Sequence, residues 1–320
     1  MHPGGSGLSL LSAPLNVHIL KALKDEERSL TELSRAVGLP PASTLRSYLR
    51  SLVEIEALAR HTEGGFPGGV SYALTPAGED LLKVGDVLQR WLEEAPDGPI
   101  SLGSTASKSA TKALVDGWSA LIVRALAARP LTLTELHRLV PQISYPTLER
   151  KLTAMRLVHL LQAEPNGSAR GTPYGVTPWL RKAVPTLGAG IAWERRHLAE
   201  RAPQLGRLDI EAGFLLAVPL VELPPEIDGV CRLSIEVRKD GELDYAGVRV
   251  ALKDGKPASC VTRLEGDADA WATGSAHDWF RWINGNDDEQ QLEFGGYGSL
   301  AQTLTEGLRE ALVPLAVKGR

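Results

Sequence analysis

Two cysteines, Cys231 and Cys260, are all that the 320 residues contain. Two thiols cannot staple a disulfide scaffold, so the chain reads as a reduced, cytoplasmic protein that must rely on its own core. The formal glycosylation triplet Asn166-Gly167-Ser168 then carries no meaning. No run of 18 apolar residues is present, which excludes a transmembrane helix. The opening "MHPGGSGLSLLSAPLNVHIL" lacks the basic start of a secretory signal, and its first seven residues read as a flexible lead-in. The seven histidines are scattered, with no pair at ligand spacing to cysteine or carboxylate, so no metal is expected. The run "NDDEQQ" lacks the spacing of a calcium loop. "GGYG" has no following Lys-Ser/Thr and so is no phosphate loop. No Ser/His/Asp or Cys/His grouping stands out. Catalysis and a cofactor are therefore not expected.

What is present is unevenly distributed. The net charge is −4, yet residues 1–95 carry 9 Lys/Arg against 12 Asp/Glu, residues 105–203 carry 14 against 6, and residues 204–320 carry 12 against 20. One basic block lies between two acidic ones. That pattern fits a localised polyanion-binding surface, or simply a set of solvated faces. Length and a 43% hydrophobic content allow two or three domains with real cores.

The chain also repeats itself. Shifted by 103 positions, residues 19–49 align without a gap on residues 122–152, with 12 of 31 positions identical. Unrelated segments would agree at about one position in fifteen. The match resumes where Tyr72, Thr75 and Pro76 pair with Tyr174, Thr177 and Pro178, and again where Trp91 pairs with Trp193. This predicts two copies of one domain.

Each copy predicts the same elements. "LNVHILKAL" and "WSALIVRAL" have helical periodicity. "SLTEL" and "TLTEL" carry capping boxes, Ser29 with Glu32 and Thr132 with Glu135. After a proline-containing link, a third helix puts Leu45, Leu49 and Leu52 on one face, matched by Leu148, Leu152 and Met155. Its polar face shows Ser43, Thr44, Arg46, Ser47 and Arg50 in the first copy. In the second it shows Tyr145, Thr147, Arg150 and Lys151, with Glu149 as an acidic exception. Two short strands around a Gly-rich turn follow, contributing Arg60 and Arg170, and a closing helix starts at Thr75-Pro76 or Thr177-Pro178.

Helix, helix, turn, helix, β-hairpin, helix is the order of a winged helix-turn-helix, whose third helix enters a major groove. Through "LTEL", the S-x-x-T/P-x-L-x-x-x-L pattern and "Y-x-L/V-T-P", both copies resemble the HxlR-type family of bacterial winged-helix regulators. The resemblance covers about residues 14–95 and 117–200. It implies double-stranded DNA as partner and final helices that build a homodimer. In a fused chain it implies a pseudo-dimer with two half-sites of different sequence. The more basic second copy is expected to contribute more to DNA contact than the first.

After Arg201 the period changes to alternation. "CRLSIEVRKDGELDYAGVRVALKDGKPASCVTRLEG" predicts an antiparallel sheet of at least three strands. A capped helix from Ser275 to Gly285, a strand "QQLEFGGYG" and a final amphipathic helix follow. This order, with "DADAW", "DWFRWINGN" and "LEFGGYGSLAQTL", is similar to the sterol-carrier-protein fold over about residues 208–317. That similarity implies an apolar tunnel for a lipid-like or aromatic molecule, lined by Trp271, Trp279, Phe280, Trp282, Phe294 and Tyr297. The same rings, at helical spacing, would equally serve a core.

The expected fold is α+β, with winged helices at 8–95 and 105–203 and a sterol-carrier-like α/β sandwich at 208–317. The expected function is DNA-binding transcription regulation with a small apolar effector, by a monomer or homodimer. A carrier whose winged helices only scaffold, and an enzyme using the apolar pocket, are the alternatives.

Overall fold

Ser29 and Thr132, 103 positions apart, begin helices by the same reciprocal hydrogen bonds. Each hydroxyl accepts from the backbone N–H of Glu32 or Glu135, whose carboxylate accepts from the Ser29 or Thr132 backbone. The same chemistry recurs along the chain. The computed structural model describes residues 4–62, 69–117, 120–164, 171–199, 201–203, 205–239, 242–283 and 292–312.

The elements run α1 (Gly5–Leu11), α2 (Pro14–Ala22), β1 (Arg28–Ser29), α3 (Leu30–Ala36), α4 (Ala42–Glu54), β2 (Leu58–Thr62), β3 (Val70–Leu74), α5 (Pro76–Glu93) and α6 (Thr105–Gly117). The order then recurs as α7 (Ala120–Ala128), α8 (Leu133–Leu139), α9 (Tyr145–Leu157), β4 (Leu161–Ala163), β5 (Tyr174–Val176), α10 (Pro178–Arg181) and α11 (Val184–His197). Packing divides the chain into two units: residues 1–115 with 189–203, and residues 116–188 with 204–320. The sequence predicts three consecutive segments, and α11 supplies the difference.

Burial repeats with the sequence. Ile19, Leu20, Leu23, Leu33, Leu45, Leu49 and Leu52 are buried, and so are Ile122, Val123, Leu126, Leu136, Leu148, Leu152 and Met155. The links repeat too. Glu56 and His159 both take the left-handed conformation, with φ of 61° and 60°. Each carbonyl accepts from a later threonine hydroxyl, Thr75 at 2.5 Å and Thr177 at 2.8 Å. In the first unit, β1, β3 and β2 form an antiparallel sheet in that order, with Arg28 opposite Tyr72 and Leu58 opposite Leu74. In the second, Leu131 bridges Tyr174 beside the pair β4–β5.

Two expectations fail in this region for local reasons. Residues 5–7 are no lead-in but the first turn of α1, with Gly5 and Gly7 buried. A Cβ on Gly7 would stand 3.0 Å from the Trp193 ring, so glycine is what allows the approach. The second closing helix is not continuous but broken into α10 and α11. Pro185 lacks the N–H that would bond back to Arg181, so the chain turns and restarts.

Residues 189–203 complete the first unit. The Trp193 indole N–H donates to the Ala77 carbonyl at 2.8 Å. Glu194, 1% exposed, accepts from the backbone N–H groups of Gly4 and Ser6 and so caps the start of α1. Asp80 of α5 gathers Lys83 at 2.7 Å, His197 at 2.9 Å and Arg196 at 3.2 Å. Burial pushes the Asp80 carboxyl up. Hydrogen bonds from Lys83 and His197, with the charges of Lys83 and Arg196, outweigh this and hold it below its ordinary range.

In the second unit α12 (Arg207–Ala217), which the sequence reading did not foresee, packs against α7. Arg124 of α7 binds the buried Glu211 carboxylate and donates to the Thr262 hydroxyl at 2.9 Å. Arg181 donates to the Leu215 and Leu216 carbonyls at the end of α12, at 2.8 and 3.3 Å. Beyond it lie β6 (Gly229–Lys239), β7 (Glu242–Lys253), β8 (Lys256–Val261), β9 (Ala270–Gly274), α13 (Ala276–Ile283), β10 (Glu293–Gly296) and α14 (Gly298–Leu312). The sheet order is β10-β9-β6-β7-β8. It is mixed where an antiparallel sheet was expected, because β9 runs parallel to β6, with Cys231 beside Ala270. Helices α12 and α14 cover Leu233, Ala246, Val248 and Val250. The Ser275–Asp278 capping box starts α13 as expected, while its expected stop at Gly285 lies outside the described residues.

Two measurements check this account of the first unit. Glu194→Ala removes the carboxylate that accepts from the Gly4 and Ser6 N–H groups, and denaturant titration should show a loss of about 2 kcal/mol. Asp80→Asn should destabilise by about 1 kcal/mol at neutral pH. Because folding lowers the Asp80 pKa, its contribution is complete above the ordinary carboxylate range and disappears as pH falls through the folded value. The gap in melting temperature between Asp80→Asn and the parent should therefore close in acid.

Candidate nucleic-acid interface

Helix α4 is anchored by one face and open on the other. Leu45, Leu49 and Leu52 are at most 1% exposed, on a helix that packs against α2 and β2. Helical spacing then turns Ser43, Thr44, Arg46, Ser47 and Arg50 outward, and all five are exposed. Among the described residues, neither Arg46 nor Arg50 makes an ion pair. Their guanidinium donors are free for phosphate oxygens or for the O6 and N7 acceptors of guanine. A helix held on an apolar core with an unengaged cationic face is what major-groove docking requires.

The hairpin beside α4 is braced. Glu27 accepts from Ser71 and binds His61 Nδ1 at 3.0 Å, and these contacts hold its carboxyl below the ordinary range. Arg28 pairs with Glu26 at 2.7 Å. Arg60, on the same strand as His61, is exposed, as the sequence predicts for a wing residue.

The second copy differs. Tyr145 is 43% exposed, but its ring meets His137 edge-on at 5.4 Å. Thr147 accepts from Ser144 at 2.8 Å. Arg150 is exposed as expected. Lys151 is not: it is half-buried, and its ammonium donates to the Asp116 carbonyl at the end of α6. Desolvation lowers its pKa, with the Asp116 charge opposing. The reason is its place on the helix, one residue before the buried Leu152, at the edge of the core-facing stripe. Arg170 lies outside the described residues.

The six rings expected around a ligand fall in separate surroundings. Trp279 is a core residue, 1% exposed, edge-on to Phe214 at 5.2 Å, with its N–H donating to the Ser234 carbonyl at 2.8 Å. Tyr297 is 73% exposed and Trp271 is 37% exposed, lying over Gly295, where a Cβ would clash with its indole. Phe280 is half-buried and approaches Gly188. Trp282 and Phe294 remain together, with ring centres 6.3 Å apart and Arg309 lying 5.0 Å above Trp282. The Trp282 N–H is buried with no acceptor among the described residues.

Burial pushes both cysteine thiols up to about 12, which leaves them protonated at neutral pH. Among the described residues, no group of three or more His, Cys, Asp and Glu could hold a metal ion, and no helix is long and apolar enough to cross a membrane.

Comparison with known proteins locates the helix-turn-helix. Residues 10–97 match the family described as HxlR-like helix-turn-helix. An uncharacterized HTH-type transcriptional regulator of Mycobacterium tuberculosis and one of Mycobacterium bovis are each 35% identical over 98 residues, or 30% of this chain. The chain spans 61% of the length of those relatives. The crystal structure of diamide-treated YodB from B. subtilis is 27% identical, covering 29% of this chain and 94% of that one, with a TM-score of 0.28. The first hundred or so residues are thus an HxlR-type helix-turn-helix domain. The match falls on the acidic first copy, where charge alone favours the second.

Proposed function

We propose that this chain is a cytoplasmic DNA-binding transcription regulator whose first winged helix grips the major groove through α4. One observation carries the reading: in the domain that matches a helix-turn-helix family, Arg46 and Arg50 stand exposed and, among the described residues, without ion pairs beside Ser43, Thr44 and Ser47. The named relatives, themselves called transcriptional regulators, point the same way.

Three finer readings extend it. Residues 105–203 are a second winged helix, supported by element order and burial that repeat at the 103-residue offset. The return of residues 189–203 to the first unit supports a pseudo-dimer, because α11 then stands on α5 as a second chain's closing helix would. Residues 208–317 are a sterol-carrier-like sensing domain for a small apolar molecule. The Trp282–Phe294 pair supports this, since an aromatic face beside a buried, unsatisfied N–H suits an apolar ligand with one acceptor atom.

For DNA, the salt dependence of binding to duplexes from the chain's own promoter region is the test. Arg46→Ala with Arg50→Ala should weaken binding and reduce the slope of log K against log salt by about one per lost phosphate contact. Unchanged slope and affinity would remove α4 from the interface. For the ligand, tryptophan fluorescence of the full chain should be quenched saturably by some member of a panel of fatty acids, sterols and polycyclic aromatics. That quenching should be absent in Trp282→Phe, and a panel without any response would make the domain purely structural.

A further inference from the structure

The 103-residue correspondence sets every exposed position of α4 and β2 against one of α9 and β4 or the residue just after it. Arg46 corresponds to Glu149, Arg50 to Thr153, Arg60 to Ala163, His61 to Glu164 and Ser43 to Pro146. Arg46, Arg50 and Arg60 lose their guanidinium groups and Glu149 and Glu164 bring carboxylates, while Arg150 and Arg156 stand where α4 has Ser47 and Val53. Glu149 and Thr153 are exposed, so these replacements lie on the face that in α4 is cationic. A carboxylate there repels phosphate and offers guanine an acceptor where a donor is needed.

The polar groups that α9 retains are mostly engaged within the fold. Lys151 falls where α4 has the half-buried Tyr48, and its ammonium is held by the Asp116 carbonyl. Ser144 and Thr147 bond to each other, and Tyr145 rests on His137. Arg150, adjacent to Glu149, and Arg156 near the end of the helix remain exposed cations. Part of the basic excess of residues 105–203 is likewise drawn into folding. Arg124 holds Glu211, Arg181 holds two carbonyls of α12, Arg129 faces Glu135 at 3.6 Å and Arg196 pairs with Asp80.

We propose that one chain reads DNA through α4 and β2 alone, while α7 and α10 serve as the platform to which α12 and the C-terminal sheet are fixed. The inference rests on the DNA-binding reading above and assigns specificity within it to Arg46, Arg50 and Arg60. The second copy has exchanged its reading face for an internal interface. Because residues 189–203 already cover α5, a second chain finds no free α5 on which to place a second reading helix. The recognised sequence is then a single unrepeated motif, one major-groove segment with its flanking wing contact, bound by one chain.

Selection from a random duplex library with the full chain, followed by equilibrium binding to the recovered duplex, tests this. The expected result is one non-palindromic motif, bound one chain to one duplex. Arg46→Ala and Arg50→Ala should each lose at least about tenfold in affinity and relax preference at one base position. Arg150→Ala should remain within about twofold. The triple substitution Glu149→Arg, Thr153→Arg and Ala163→Arg should add affinity and steepen the salt dependence, as restored cations on an open helix face must. A palindrome or paired motif, or an Arg150→Ala loss equal to that of Arg46→Ala, would overturn the single-helix assignment while leaving DNA binding intact. Failure to recover any duplex would overturn both.

Discussion

Two neighbouring side chains on α11, Trp193 and Glu194, hold the first unit closed. The indole fills the space that Gly7 leaves and bonds to the Ala77 carbonyl, while the carboxylate caps α1. Burying a carboxylate is costly unless its lone pairs find donors, and here the unsatisfied N–H groups of a helix start supply them. The Asp80 cluster one turn further on adds the polar rim. Helix α5, and through it the wing and α4, stands on this joint. A segment from late in the repeat is therefore structural material for the domain at the start of the chain.

Charge has a different meaning in residues 1–95 and in residues 105–203. In residues 1–95, a net acidic balance conceals the cations of α4: Arg46 and Arg50 are exposed there, while Glu27 is engaged by Ser71 and His61 and Asp80 by Lys83, Arg196 and His197. In residues 105–203, a net basic balance leaves a mixed face on α9, where the exposed Glu149 stands beside the exposed Arg150, while Arg124, Arg129 and Arg181 are engaged within the fold. Net charge is a property of a sequence segment. Electrostatic recognition depends on which of those charges remain unpaired at one surface.

Much of the architecture was legible in the sequence because it depends on short-range chemistry. Capping boxes, proline starts and the Leu45/Leu49/Leu52 period each fix one element within a few residues. The 103-residue offset let each copy check the other. What could not be read were features that depend on distant partners. Gly5 and Gly7 look like a linker until Trp193 is placed beside them. Lys151 looks exposed until Asp116 is brought to its ammonium. Trp279 and Trp282 share a helix face, yet the turn of α13 over the sheet sends one into the core and leaves the other beside Phe294. The parallel pairing of β9 with β6 is set by the crossover, which alternation within a strand does not encode.

The interleaved boundary has a consequence for how the polypeptide is made. A ribosome delivers residues 1–115 long before residues 189–203, so the first domain emerges without the piece that caps α1 and covers α5. Until that piece arrives, α1 lacks its Glu194 cap and Gly7 its Trp193 neighbour. Maturation of the first unit is thereby tied to synthesis of nearly two thirds of the chain. A nascent or truncated fragment carries the α4 cations without the Trp193–Glu194 joint, so this unit is complete only on a chain that extends through residue 203.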